Sequence, residues 1–163
     1  MSVPKSKRRL SDIQYYKNAM DIHDEIYKIF KIDCDKYFNN KYTKKYIKID
    51  DDIQILVSNQ PYWLIVSKRN IILKNVNALL DDIVYADSIY PTCKFEFDMK
   101  HAYQTKAIAS CRVLLNNFTL LYKIFKNDFN IEKHKNLLID LDNEIQLLKN
   151  WRSNTNRLFS KFV

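Results

Sequence analysis

"ADSIYPT", residues 86–92, separates two long amphipathic stretches, and its reading decides the fold. It contains no glycine, yet it must end one helix and begin another. Pro91 biases Tyr90 toward an extended backbone and cannot continue the preceding helix. Thr92 offers a side-chain oxygen to the next helix's free N–H groups, which predicts Thr92 as an N-cap. Ile89 and Tyr90 then read as a plug closing one end of a helical bundle, with a subunit contact as the sharper alternative.

Upstream of the junction, Ile65, Ile72, Val76, Leu79, Ile83 and Ala86 form one continuous helical face. That helix is expected to start after "NQP", with Asn59 as cap and Pro61 in the first turn. Downstream, Tyr103, Ala107, Ser110, Leu114, Leu121 and Phe125 form a seam, joined by Ile108, Cys111, Leu115, Phe118 and Tyr122. A further helix after "NDFN", capped by Asn130, carries Leu137, Leu138, Leu141, Ile145, Leu148 and Trp151.

The first helix is expected at "LSDIQY", where Ser11 and Gln14 have capping-box spacing and Leu10 and Tyr15 suit a hydrophobic staple. Its end is placed near Lys31 or Ile32. Residues 33–60 read as an irregular or partly helical insertion, with helix most favoured around 50–58. The expected fold is therefore all-α: an antiparallel up-and-down four-helix bundle with long helices and a longer connection between helices one and two. Residues 1–10 read as a basic N-terminal arm and 11–163 as the bundle.

Composition narrows the function. A chain of 163 residues suits one domain. It has no glycine, where average usage is about 7%. Phosphate-cradling loops, dinucleotide-binding turns and nucleophile elbows all need glycine, so those reaction classes are excluded. No apolar run approaches the roughly 18 residues of a membrane span, and "MSVPKSKRRLSD" lacks a secretory apolar segment. Cys34, Cys93 and Cys111 lack metal-type spacing and read as reduced thiols of a cytosolic protein, with Cys111 in the core.

His23, His101 and His134 are isolated, without the Glu-x-x-His units of di-iron bundles. The acidic runs at 50–52 and 81–82 read as solvated faces, since adjacent helical residues point apart. The expectation is a non-enzyme with no catalytic residues, no metal and no cofactor.

The 27 Lys and Arg against 19 Asp and Glu give a net charge of +8, which suits a polyanion partner or an AT-rich genome. Lys5, Lys7, Arg8 and Arg9 form the arm, which suits phosphates or solubility. Near the other end, Lys149, Arg152, Arg157 and Lys161 interleave with Trp151 and Phe159, a pattern suited to nucleic acid. Trp151 also falls on the apolar seam, which favours a core role for it. Arg69 and Arg112 lie within apolar helices, where arginine stems rest on the core and the charge reaches solvent.

"VPKSKRRLSDIQYYKNA" (3–19), "PYWLIVSKRNIILKNV" (61–76), "ADSIYPT", "AYQTKAIASCRVLL" (102–115) and "IQLLKNWRSNTNR" (145–157) follow in an order that carries a resemblance. The chain resembles the four-helix-bundle accessory variability (Avd-type) proteins of diversity-generating retroelements, relatives of ribosomal RNA intervening-sequence bundle proteins. The likeness covers most of the chain outside 33–60. It implies a cytoplasmic, bacterial or phage-borne homopentamer that binds a reverse transcriptase and RNA or DNA. Such a protein supports mutagenic complementary-DNA synthesis without catalysing it. By motif, Arg69, Lys74, Arg112, Arg152 and Arg157 become the implied basic contacts. Asn70, Asn77, Asp81 and Asp82 dilute the charge of helix two, which turns attention to the termini. Two alternatives stand beside this: a bundle acting only through protein–protein assembly, and an RNA-binding protein of the intervening-sequence type.

Overall fold

The computed structural model describes residues 10–39, 45–50, 53–57, 62–124 and 131–162. Four α-helices dominate the described residues: α1 (Gln14–Asn39), α2 (Tyr62–Ser88), α3 (Lys94–Ile124) and α4 (Ile131–Leu158). Each packs on its sequence neighbour, and α1 meets α4, so the four close into a ring. Pairs of contacts show alternating directions. Tyr15 meets Asp87 while Tyr27 meets Asn77, and Lys68 meets Asn117 while Tyr85 meets Tyr103. The fold is an antiparallel four-helix bundle.

The core follows the apolar spacing. Ile72, Val76, Leu79, Ile83 and Ala86 of α2 are all fully buried, facing Ala107, Cys111, Leu114 and Phe118 of α3. Ile22, Ile26 and Phe30 of α1 and Leu137, Leu141 and Leu148 of α4 complete it. Burying such side chains stabilises a fold by about 1.5–3 kcal/mol each, which outweighs the modest intrinsic stability of an isolated helix.

The connection between α1 and α2 differs from expectation. α1 runs on to Asn39, because nothing in 33–39 is a proline or glycine that would stop it. The helix expected around 50–58 is absent: β1 (Lys45–Asp50) and β2 (Ile53–Val57) pair antiparallel, with an irregularity between Lys48 and Asp50. The stretch is rich in Ile, Tyr and Val, which favour strands, and its isoleucines recur at alternate positions. Asn59, Pro61 and Asn130, expected as caps or first-turn residues, lie outside the described residues.

The two expected N-caps that fall among the described residues, Ser11 and Thr92, shift. Ser11 falls in a 3-10 turn (Leu10–Asp12), and the Ile13 carbonyl accepts from the Tyr16 and Lys17 N–H groups at 3.1 and 3.0 Å. The α-helix thus starts two residues later than a Ser11 cap requires. At α3, the Cys93 carbonyl accepts the first bond, from Phe97 N–H at 3.1 Å. Thr92 donates both its N–H and its hydroxyl to one Glu96 carboxylate oxygen, each at 2.7 Å. Glu96 performs the capping, at the positive end of the helix dipole. These bonds, the Thr92 hydroxyl first, hold the Glu96 carboxyl below its ordinary range.

The junction stops α2 without glycine because a lysine does the work of a glycine cap. The buried Lys100 ammonium donates to the Ala86 carbonyl and, at 2.8 Å, to the Ile89 carbonyl. It also lies 5.5 Å from the Trp151 ring centroid. A positive-φ glycine normally lets the chain satisfy its own last carbonyls; here a cation at the negative end of the dipole satisfies them. The plug expected from Ile89 and Tyr90 is corrected. Ile89 is half-buried, Tyr90 is 70% exposed, and Pro91 is the buried residue.

Candidate nucleic-acid interface

Of the basic residues singled out in the sequence, Lys5, Lys7, Arg8 and Arg9 lie outside the described residues. Six of the others separate by helix geometry, and Lys161 lies exposed in the short turn Ser160–Phe162 after α4. Arg69 and Lys74 are five residues apart on α2, which turns them about 140° from each other. Lys74 is exposed, whereas Arg69 is half-buried and its Nε is buried without a hydrogen-bond partner. They do not make one contact surface. Nearby Asp81 is exposed, and Asp82 is half-buried with its carboxyl raised, by burial first and then by Asp81 against the pull of Lys106.

The α3–α4 face is where basic groups gather. Arg152 of α4 donates to the Thr105 hydroxyl of α3 at 3.2 Å, fixing the level at which the helices meet. Arg112 is seven residues beyond Thr105, two helical turns along the same face, and it is exposed. Lys149 precedes Arg152 by three residues on a neighbouring face of α4 and is half-exposed. Arg112, Lys149 and Arg152 therefore lie along one side of the bundle. Arg157 is exposed and sits five residues from Arg152, about 140° around α4.

His101 extends this face. It is half-buried on α3, and its imidazolium is disfavoured by burial first, then by the charges of Arg152 and Lys94, against the opposing pull of Asp98. Lys94 pairs with Asp98 at 3.3 Å. The signal for His101 and Lys94 was present in the sequence, since both share a helical face with Thr105 at spacings of four and eleven.

Trp151 is a packing residue. It stacks on Tyr15 of α1 with centroids 4.3 Å apart and packs against the apolar core. A second set of polar residues lies inside the bundle, unforeseen in the sequence. Glu144 is fully buried, accepts from Asn18 Nδ2 at 2.9 Å, and has an Oε1 without a partner. Burial pushes its carboxyl up to about 8, against the smaller lowering effect of Asn18. Burial and then Glu144 also raise the Cys111 thiol. Gln104, likewise fully buried, donates to the Thr155 hydroxyl at 2.9 Å. Among the described residues, no three His, Cys, Asp or Glu side chains converge as metal ligands.

α3 also carries an apolar stripe on its outer side. Met99, Val113 and Leu120 are exposed at multiples of seven residues, with exposed Ala102 and Ala109 beside them and exposed Lys106 at the position between Met99 and Val113. Among the described residues no helix is long and apolar enough to cross a membrane. Comparison with protein-family models, with curated proteins and with solved structures returned no match.

Proposed function

We propose that this chain is a non-catalytic accessory protein of a diversity-generating retroelement. In this reading it binds RNA or DNA together with the element's reverse transcriptase, in the cytoplasm, and supports mutagenic complementary-DNA synthesis. The observation that carries the nucleic-acid part is the run of Arg112, Lys149 and Arg152 along the α3–α4 face, in a chain of net charge +8. Arginine pairs with phosphate through two parallel N–H groups, and a bundle side of this kind can follow a backbone. The retroelement part rests on the order of the sequence motifs around "ADSIYPT".

The outer stripe of Met99, Val113 and Leu120 supports the protein-binding part. Exposed apolar side chains at heptad positions, here broken by Lys106, are a pattern by which helices dock on other helices. It suits the transcriptase or further copies of the chain, a pentamer by resemblance. The same stripe favours the second reading, a bundle that acts only through protein assembly.

Light scattering combined with a salt titration on structured RNA separates the two. The accessory reading expects an oligomer whose RNA affinity falls steeply as salt rises, by about 0.7–0.9 log units per phosphate neutralised for each tenfold change. An oligomer that ignores RNA at low salt leaves only the assembly reading. A monomer that ignores RNA removes both. Co-purification with a reverse transcriptase encoded beside it tests the retroelement assignment.

A further inference from the structure

The two most exposed of the large apolar side chains among the described residues are Tyr90, at 70%, and Phe95, at 71%. Both sit at the same end of the bundle, Tyr90 in the α2–α3 junction and Phe95 in the first turn of α3. Neither is needed to close the core there. Pro91, Phe97 and Phe159 are buried at that end.

Tyr90 is nonetheless held in place. Its ring meets Phe159 in an edge-on arrangement, with centroids 5.5 Å apart and planes at 80°. The residue before a proline has a restricted backbone, which limits the directions the ring can take. Phe95 is carried by a helix whose first turn is capped by Glu96. Two exposed rings on constrained backbone are an apolar surface that the fold itself does not use.

Cations and carboxylates both lie around them. Arg157 and Lys161 lie within two residues of Phe159, both are exposed, and Lys161 Nζ lies 4.6 Å from the Phe162 ring centroid. Of the nearby acids, Asp87 accepts from the Tyr15 hydroxyl at 3.1 Å, Glu96 accepts from both Thr92 donors, and Asp98 pairs with Lys94 at 3.3 Å. Neither Arg157 nor Lys161 pairs with a carboxylate among the described residues. Exposed aromatic faces beside cations that no carboxylate holds match the chemistry of an unpaired nucleic-acid strand, whose bases stack while its phosphates are neutralised. A duplex hides its base faces and has no use for such rings. A second copy docking by this end would bring Arg157 and Lys161 toward cations of the same kind.

We propose that this end of the bundle is a stacking platform for single-stranded nucleic acid, with Tyr90 and Phe95 receiving bases and Arg157 and Lys161 receiving phosphates. The proposal rests on the nucleic-acid-binding reading and deepens it by naming the strand state recognised. It also gives the α2–α3 junction a role beyond ending a helix.

The test is fluorescence anisotropy at fixed low salt with three probes of equal length: oligo(dT), an abasic strand and a duplex. The wild-type chain is expected to bind oligo(dT) more tightly than the abasic strand. The double variant Tyr90→Leu/Phe95→Leu is expected to lose about 5- to 100-fold on oligo(dT) and to bind the other two probes unchanged. Equal wild-type affinity for oligo(dT) and the abasic strand overturns the platform without any variant, so a folding defect cannot mask the answer. Equal oligo(dT) affinity of wild type and variant overturns it too. Wild type that binds none of the three probes instead overturns the nucleic-acid reading on which the platform stands.

Discussion

The Lys100 ammonium donates to the Ile89 carbonyl at 2.8 Å, across the junction between α2 and α3. Lys100 and Ile89 are eleven residues apart, and the bond makes the start of one helix the cap of another. Lys100 also reaches the Ala86 carbonyl and is only 5% exposed, so these acceptors depend on it in place of water. Lys100→Met keeps the apolar stem and removes the charge. Hydrogen bonds to charged groups are worth about 1.5–3 kcal/mol, and orphaned buried acceptors add to the loss. The expected result is a destabilisation of about 2–4 kcal/mol in denaturant unfolding, with amide exchange rising first around residues 100–104, where α3 faces the junction. Unchanged stability would show that water replaces the lysine.

A pH dependence follows from Glu144. Its carboxyl is raised to about 8 by burial, so the folded state holds a proton that the unfolded chain releases near its ordinary value of 4.5. Below that ordinary value the group is neutral in both states and costs nothing. Between the two values folding must retain a proton the unfolded chain has lost, and stability falls as pH rises. By pH 9 the loss attributable to this group is roughly 3–5 kcal/mol. Glu144→Gln removes the titration while keeping an oxygen for Asn18 to donate to. Urea unfolding from pH 5 to pH 9 should therefore show a falling curve for wild type and a flatter one for the variant. Parallel curves would refute a buried neutral carboxyl.

The bundle was legible because aliphatic residues such as Ile72, Val76, Leu79 and Ile83 repeat every three or four positions, and apolar burial is the dominant driving force of folding. The hairpin was not, because the aspartates at 50–52 obscured the period-two isoleucines on either side. Lys100, Gln104 and Glu144 were hidden for a different reason. Each occupies an apolar position of its helix, as Glu144 does between Leu141 and Leu148, and a polar residue there reads as an interruption. Only the partners, Ile89, Thr155 and Asn18, make them tolerable inside, and those partners are distant in sequence. The basic site was legible as a set of residues, but its division between faces was not. That depends on which way α2 and α4 turn about their axes, which is settled by packing.

That division yields a prediction for the α3–α4 face. Arg112, Lys149 and Arg152 should behave as one phosphate-binding set, so each alanine substitution lowers affinity for duplex DNA and reduces the slope of log K against log salt by up to about 0.9. Lys74→Ala, on the outer side of α2, should leave the slope unchanged. Arg152 also donates to Thr105, so its substitution carries a small stability cost that a melting curve separates from binding. Equal effects at Lys74 and Arg112 would indicate diffuse attraction to net charge, with no organised face.

The bond between Gln104 and Thr155 offers a test of how the polar interior is held. Gln104 Nε2 donates to the Thr155 hydroxyl at 2.9 Å, the hydroxyl donates to the Trp151 carbonyl at 3.1 Å, and Gln104 Oε1 is buried without a partner. Thr155→Val preserves shape and strands the amide, which should cost about 1–3 kcal/mol. Gln104→Leu strands less, because the Thr155 hydroxyl keeps its bond to the Trp151 carbonyl, and it also removes the unpartnered oxygen. The double variant should be closer to wild type than the sum of the singles, because replacing both partners with apolar groups of similar shape is nearly neutral. A coupling energy of about 1 kcal/mol or more in the four-way unfolding cycle is the expected reading. Strict additivity would mean the amide finds another partner once the hydroxyl is gone.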